Sequence, residues 1–182
     1  MSEYRRWRVA GGFYFFTVVT AERRPLLTTD LGRGCLRDAI SSVRVRLPFE
    51  MIAQVLLPDH LHVVMHLPAG ETDYSTRWRQ IKTLFSRQYL AQVPALPRSA
   101  SRLRRQEHGI WQRRFYEHTI RDEVDLKRCV DYIHINPVKH RLVSRVRDWP
   151  WSSFHRFVEQ REYDADWGGS NEWFGDEFQQ WE

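Results

Sequence analysis

Four side chains have types and spacings that suit chemistry: His60 and His62 in His60-Leu61-His62, and Tyr132 four residues before Asn136. In a strand, residues two apart share a face. His60 and His62 therefore project together, while Leu61, Val63 and Met65 point the other way into a core. Two imidazoles held side by side make half of a divalent-metal site. On a helix, residues four apart stack on one face, which aligns Tyr132 with Asn136. If that helix packs beside the histidine strand, the Asn136 amide oxygen makes a third protein ligand and leaves positions open on the ion. Such an ion polarises a phosphodiester oxygen, and the Tyr132 oxygen attacks in line to form a covalent phosphotyrosine. A phenol of pKa near 10 is ionised to about one part in a thousand at pH 7, a deficit of about 4 kcal/mol. A nearby base or cation, Lys139 or His140, must help to offset it. Alone, a His-x-His pair is weak evidence, because two polar residues on the open face of a sheet read the same way.

The elements that must position these groups follow from hydrophobic period and breakers. The aromatic and β-branched run Phe13–Thr20 is apolar on both faces and reads as a central strand. Thr29 or Asp30 caps a helix through Leu36, Ile40 and Val43, and Pro48 stops it. Phe49–Leu57 is a second strand, Pro58-Asp59 a bend, and the histidine run a third strand. Asp73 or Ser75 caps a second helix marked by Trp78, Ile81, Leu84 and Phe85, which Pro94 and Pro97 close. An arginine-bearing loop leads to a fourth strand over Trp111–Ile120. Arg121-Asp122-Glu123 opens a third helix, with acids in its first turn, running to a break at Pro137. The order predicts an α+β fold: a ferredoxin-like split β-α-β-β-α-β sheet with helices mainly on one face.

Charge is unevenly distributed. Residues 158–182 hold one basic and eight acidic residues, net −7; residues 1–157 hold 27 basic and 15 acidic, net +12. A body this basic is a footprint for polyanions. Aromatic residues interleave with arginines at Tyr4-Arg5-Arg6-Trp7-Arg8, Arg77-Trp78-Arg79 and Trp111-Gln112-Arg113-Arg114. That pairing suits single-stranded nucleic acid, where bases stack and phosphates pair. Candidate DNA contacts are Arg77, Arg79 and Lys82 on the second helix, Arg104 and Arg105 in the loop, Arg113 and Arg114 at the fourth strand, and Lys139 and His140. Cys35 and Cys129 make no disulfide framework. The longest apolar run is far too short to span a bilayer, and no leader is legible, so a cytoplasmic protein is expected. The acidic aromatic tail, 158–182, is expected to lie over the body, shielding the DNA groove or packing for stability.

His60-Leu61-His62 resembles the HUH motif, and Asp131-Tyr132-Ile133-His134-Ile135-Asn136-Pro137-Val138-Lys139-His140 resembles the tyrosine-helix signature of single-tyrosine HUH transposases. More closely, the chain resembles the REP-associated tyrosine transposases. Further matches are Met1-Ser2-Glu3-Tyr4-Arg5-Arg6, Leu57-Pro58-Asp59-His60-Leu61-His62, Ser75-Thr76-Arg77-Trp78-Arg79-Gln80-Ile81-Lys82, Trp111-Gln112-Arg113-Arg114-Phe115-Tyr116-Glu117-His118 and Asp148-Trp149-Pro150-Trp151-Ser152-Ser153. The resemblance covers nearly all of residues 1–157, the expected domain, in which 1–12 form a basic arm. It implies dependence on Mg²⁺ or Mn²⁺, with His60, His62 and Asn136 as ligands and Tyr132 as nucleophile. Many relatives carry Gln at the position of Asn136, so the shorter amide needs a closer helix. It also implies single-stranded DNA hairpins of REP type as partner, cleaved and rejoined through a 5′-phosphotyrosine, with Arg5, Arg6 and Arg8 reading bases beside the hairpin. Either a monomer or a homodimer is compatible. Two other classes remain: a metal-dependent nuclease in which water attacks, and a hairpin-binding protein that does not cut.

Overall fold

The computed structural model describes residues 8–94, 101, 104 and 109–168. Arg5, Arg6, Arg105 and the tail beyond Gly168 lie outside the described residues. The main elements are β1 (Phe13–Val19), α1 (Asp30–Arg46), β2 (Glu50–Leu56), β3 (His60–His66), α2 (Tyr74–Leu90), β4 (Tyr116–Thr119), α3 (Glu123–Lys139) and α4 (Phe154–Glu159). Each long helix starts where a short polar side chain accepts a backbone N–H. Thr29 takes Gly32 N at 3.0 Å, Asp73 takes Thr76 N at 2.9 Å and Asp122 takes Asp125 N at 2.8 Å. Each cap stabilises its helix by about 1 kcal/mol.

The four strands form an antiparallel sheet in the order β2-β3-β1-β4, the ferredoxin-like arrangement. Both faces of the central strands are covered. Tyr14, Phe16, Val18, Leu61, Val63 and Met65 pack with Leu36, Ala39 and Val43 of α1 and Trp78, Ile81 and Phe85 of α2. Phe15, Val55 and Val64 on the opposite face pack with Cys129, Val130, Tyr132 and Ile133 of α3. Two helices thus share one face and the tyrosine helix has the other, which explains a first strand that is apolar on both sides.

Two elements differ from expectation. The fourth strand pairs only over Tyr116–Thr119; Trp111 makes a lone bridge to Thr20. Between them Gln112 N bonds Val19 O at 2.9 Å, so this basic stretch runs beside the end of β1 without completing a ladder. The second difference is at Pro137, which lies inside α3 rather than ending it. In a last turn proline displaces one intrahelical bond, and His140 N and Leu142 N still reach Asn136 O and Pro137 O, both at 2.9 Å.

The chain after α3 wraps the outer edge of β2. Leu56 N bonds Trp151 O at 2.9 Å and Ser153 N bonds Gln54 O at 2.8 Å. An exposed strand edge is thereby covered. Tyr163 and Trp167 then pack beside Ile135, Val146 and Phe154, on the side of α3 away from the sheet. No helix among the described residues is long and apolar enough to cross a membrane.

Candidate active site

His60 and His62 stand where β3 begins, their ring centroids 4.9 Å apart and nearly perpendicular. Antiparallel pairing puts Thr17 of β1 directly opposite His62, and opposed residues share a face. The Thr17 hydroxyl lies 2.9 Å from His62 Nδ1, and the Asp59 carboxylate lies 2.7 Å from His60 Nδ1. Both rings are buried, at 2% and 0% exposure, and neither Nε2 makes a hydrogen bond among the described residues. Burial holds the His62 imidazole well below its ordinary pKa; His60, His140 and Lys139 push the same way, and the Asn136 amide opposes them. Neutral imidazole is the form that ligates a metal. Burial alone would raise the Asp59 pKa, but contacts with His60 and Arg23 outweigh it and bring the carboxyl down to about 2.

α3 lies across this corner. The Tyr132 ring meets His62 edge-on at 5.2 Å and Phe15 at 5.8 Å. Asn136, one turn on, is wholly buried, and its amide makes no hydrogen bond among the described residues. Because α3 continues through Pro137, Lys139 falls seven residues after Tyr132, almost two full turns, on the same face. Its Nζ lies 3.5 Å from the Tyr132 hydroxyl and 4.9 Å from the ring centroid. His140 packs against His60 at 5.0 Å between ring centroids. Between the two candidate activators of the phenol, the geometry favours Lys139: its ammonium is at the oxygen, while His140 faces an imidazole.

Two imidazole nitrogens and an amide oxygen, buried together and without hydrogen bonds among the described residues, fit a divalent ion. A buried polar atom left without a partner costs about 1–3 kcal/mol, and gathering several in one place is the mark of a site for a ligand. A second group, His118, Asp125 and Cys129, has ligand atoms within 4.8 Å of one another. There Asp125 already bonds His118 at 2.9 Å and Arg121 at 3.0 Å, and burial pushes the Cys129 thiol pKa up, against the thiolate a metal needs. The metal chemistry therefore fits the first group better. A groove of about 860 Å³ between β2, α3 and α4, lined by Arg44, Met51, Leu126, Phe157 and Tyr163, contains none of His60, His62, Tyr132 or Asn136.

The basic residues divide. Arg8, Arg79, Arg104, Arg113 and Arg114 are exposed, and Lys139 and His140 form the half-buried rim of the cluster. Lys82 is half-buried, gives a hydrogen bond to Gln112 O at 3.0 Å and has its pKa lowered to about 8 by burial. Arg77 is not a surface residue: it is 1% exposed and donates to Pro48 O at 3.0 Å and Asp73 O at 2.8 Å. Its guanidinium ties α2 to the end of α1, and a phosphate has no access to it. Thr17, Asp59 and Arg23 are site residues that the sequence alone does not single out. The available signals are a lone hydroxyl in an apolar strand for Thr17 and, for Asp59, its place just before the first histidine.

The chain matches the family model for IS200-like transposases over residues 9–136. An Escherichia coli K12 protein named REP-associated tyrosine transposase is 46% identical over 170 residues, covering 93% of this chain and 92% of that one. A Haemophilus influenzae relative is 45% identical over 170 residues, 93% of this chain and 95% of its own. A solved structure of a REP-associated tyrosine transposase bound to a REP hairpin superposes with a TM-score of 0.76 at 44% identity, covering 93% of each chain. The chain is thus a member of the IS200-like transposase family and, within it, of the REP-associated tyrosine transposases.

Proposed function

We propose that this transposase is a single-stranded DNA endonuclease and strand transferase that acts on REP-type hairpins, cutting and rejoining through a 5′-phosphotyrosine at Tyr132. The observation that carries this reading is the meeting of the Tyr132 ring, the two imidazoles and the Asn136 amide in one buried cluster. The hairpin bound to the 44% identical relative supports the substrate class.

Nε2 of His60 and His62 and the amide oxygen of Asn136 would hold Mg²⁺ or Mn²⁺, which would supply Lewis-acid polarisation of the scissile phosphate. Tyr132 gives the attacking oxygen. Its O–P bond forms as the P–O3′ bond breaks; the phenol proton leaves for solvent, and the departing oxygen takes one up as a 3′-hydroxyl. Rejoining reverses the exchange, with a 3′-hydroxyl attacking the phosphotyrosine. One phosphodiester is traded for another, so no nucleotide cofactor enters. Lys139 stabilises the phenolate. The strand reaches the phenol past Lys139 and His140, the least covered groups of the cluster, and the flexible lysine stem lets Lys139 swing aside.

Arg8, Arg79, Lys82, Arg104, Arg113 and Arg114, with Arg5, Arg6 and Arg105, hold the DNA backbone and the bases beside the hairpin. Residues 1–157 form the transposase domain and 158–182 an appended acidic segment. Action as a monomer or as a homodimer is compatible with this reading. The test is incubation of end-labelled hairpin DNA with Mn²⁺ and protein, followed by denaturing electrophoresis. A labelled protein–DNA adduct is expected, lost in Tyr132→Phe with hairpin binding retained. Cleavage by Tyr132→Phe at the wild-type rate would assign the attack to water and overturn this reading.

A further inference from the structure

The residues behind the two imidazoles form a second layer that the cluster itself does not explain. His60 Nδ1 is 2.7 Å from Asp59 Oδ1, and His62 Nδ1 is 2.9 Å from Thr17 Oγ1. When each Nδ1–H donates to these oxygens, each Nε2 keeps a bare lone pair. The Asp59 carboxylate, which only accepts, chooses the metal-ligating tautomer of His60, and the Thr17 hydroxyl accommodates the same tautomer at His62 from a different element.

Asp59 is itself held from several directions. Its second carboxylate oxygen takes a hydrogen bond from Arg23 Nη1 at 3.1 Å. Its carbonyl accepts from Thr20 N at 2.8 Å and from the Thr20 hydroxyl at 2.9 Å. The turn that delivers Arg23 has an unusual backbone: Glu22 and Arg23 both sit in the left-handed region, at φ 57° and 48°. Neither is glycine, and consecutive left-handed residues persist only where their surroundings impose them. The exposed Glu22 does not require this conformation for packing. The turn does place Arg23 against the carboxylate that orients His60.

We propose that Asp59 and Thr17 are positioning residues, Asp59 fixing the tautomer and rotation of His60 and Thr17 the rotation of His62, and that the left-handed turn at Glu22-Arg23 is built to hold the Asp59 carboxylate. The inference rests on the reading of His60 and His62 as metal ligands. The two partners differ in kind. Asp59 brings an anion to His60, while the neutral Thr17 hydroxyl only orients His62. A Pro-Asp bend alone requires only a turn-forming residue at 59, and asparagine satisfies that need as well.

Mn²⁺ binding to the full chain without DNA, followed by electron paramagnetic resonance and by calorimetry, tests the idea independently of cleavage. Loss of an outer partner of a ligating histidine typically costs 10- to 100-fold in metal affinity. Asp59→Asn keeps the turn and removes the charge, and about a tenfold weaker affinity is expected. For Thr17→Val a loss of similar size is expected, with Thr17→Ser restoring wild-type binding, and for Arg23→Ala a loss of a few-fold. His60→Ala and His62→Ala serve as reference variants and should abolish specific binding. If these lose Mn²⁺ while Asp59→Asn and Thr17→Val bind it as wild type does, the positioning roles are wrong and the metal site stands. If His60→Ala and His62→Ala bind Mn²⁺ normally, the metal site itself falls. Melting temperature and hairpin affinity are measured on every variant. Should Asp59→Asn fail to fold, the Thr17 pair and Arg23→Ala decide by the same criteria.

Discussion

Replacing Lys139 with methionine removes one charge and leaves most of a stem that packs on the Tyr132 ring. The ammonium sits 3.5 Å from the phenol oxygen. At that separation a unit charge stabilises a phenolate by about 1 kcal/mol in the dielectric of water and about 5 kcal/mol at an effective dielectric of 20. Lys139 is half-buried, so an intermediate value of about 2–3 kcal/mol applies. An ordinary phenol must overcome about 4 kcal/mol to be ionised at pH 7, and Lys139 offsets about half or more of that. The expected loss on Lys139→Met is about 30- to 150-fold in the rate of adduct formation at pH 7, with Lys139→Arg retaining most of the activity.

The assay is single-turnover formation of the protein–DNA adduct on labelled hairpin with saturating Mn²⁺, run from pH 6 to 9.5. The gap between wild type and Lys139→Met should narrow as pH rises, because hydroxide ionises the phenol without help. Hairpin affinity should fall by about threefold at most, since a single phosphate-facing cation is removed from a broad basic surface. Equal rates at pH 7 would refute the reasoning outright. A gap that stays constant with pH would refute it differently, by showing that the charge acts on the phosphate in the transition state and not on the nucleophile.

Other consequences are open to direct measurement. Arg77→Ala should destabilise the fold by about 2–4 kcal/mol in denaturant titration, because it strips buried carbonyls of their donor, whereas Arg79→Ala should weaken hairpin binding and leave stability alone. His134 is buried and burial lowers its pKa to about 3, while the unfolded chain protonates it near pH 6.5. Proton uptake therefore favours unfolding as pH falls below about 6.5; by linkage about 2 kcal/mol of stability is lost between pH 7 and pH 5, and His134→Gln should flatten that slope. Gly168 sits at φ +79°, where an added Cβ would lie 2.7 Å from Val146 Cγ2 and 2.9 Å from Ile135 Cδ1. Gly168→Ala should therefore cost about 1–3 kcal/mol, read as a lower midpoint of unfolding.

Local periodicity makes much of the site legible. A period of two places His60 beside His62, and a period of 3.6 stacks Asn136 over Tyr132; neither depends on the rest of the molecule. Non-local pairing hides the remainder. Nothing near Thr17 in sequence announces that β1 and β3 align it with His62, 45 residues away. Asp59 reads as half of a bend because Pro-Asp is a turn signal in its own right. Pro137 reads as a break by the same local logic, yet tertiary packing carries α3 one turn further and so brings Lys139 to the phenol. Arg77 looks like its exposed neighbour Arg79 because charge alone does not say which side of a helix faces an inter-helix carbonyl. The sheet order follows from element order, and an apolar first strand calls for cover on both faces, but the pattern that reads as helices mainly on one face does not announce that the tyrosine helix takes the other. Nor does the short β4 follow, since Trp111–Ile120 reads as one strand but the backbone of 111–115 makes only a lone bridge and completes no ladder.

The reactive face of α3 is positioned from its opposite side. His134 Nε2 lies 2.9 Å from Ser153 Oγ, and that hydroxyl also takes Gln54 N at 2.9 Å on β2. One turn earlier Asp131 is gripped by Lys127 at 2.6 Å and by the Tyr163 hydroxyl. One residue past His134, Ile135 packs with Val146 and Phe154. These contacts alternate along the helix with Tyr132 and Asn136, which point toward the sheet. A helix clamped on both sides has little freedom to rotate or slide, and a rotation of even a few degrees at its axis moves a tyrosine oxygen by a sizeable part of an ångström. In-line attack tolerates little such error. The chain from Trp149 to Gly168 supplies none of the reacting groups, yet Trp149 and Phe157 share a core cluster with Tyr132 and help to fix the angle at which the phenol meets the imidazole pair. Substitutions there are expected to alter the rate of chemistry as well as the stability of the fold.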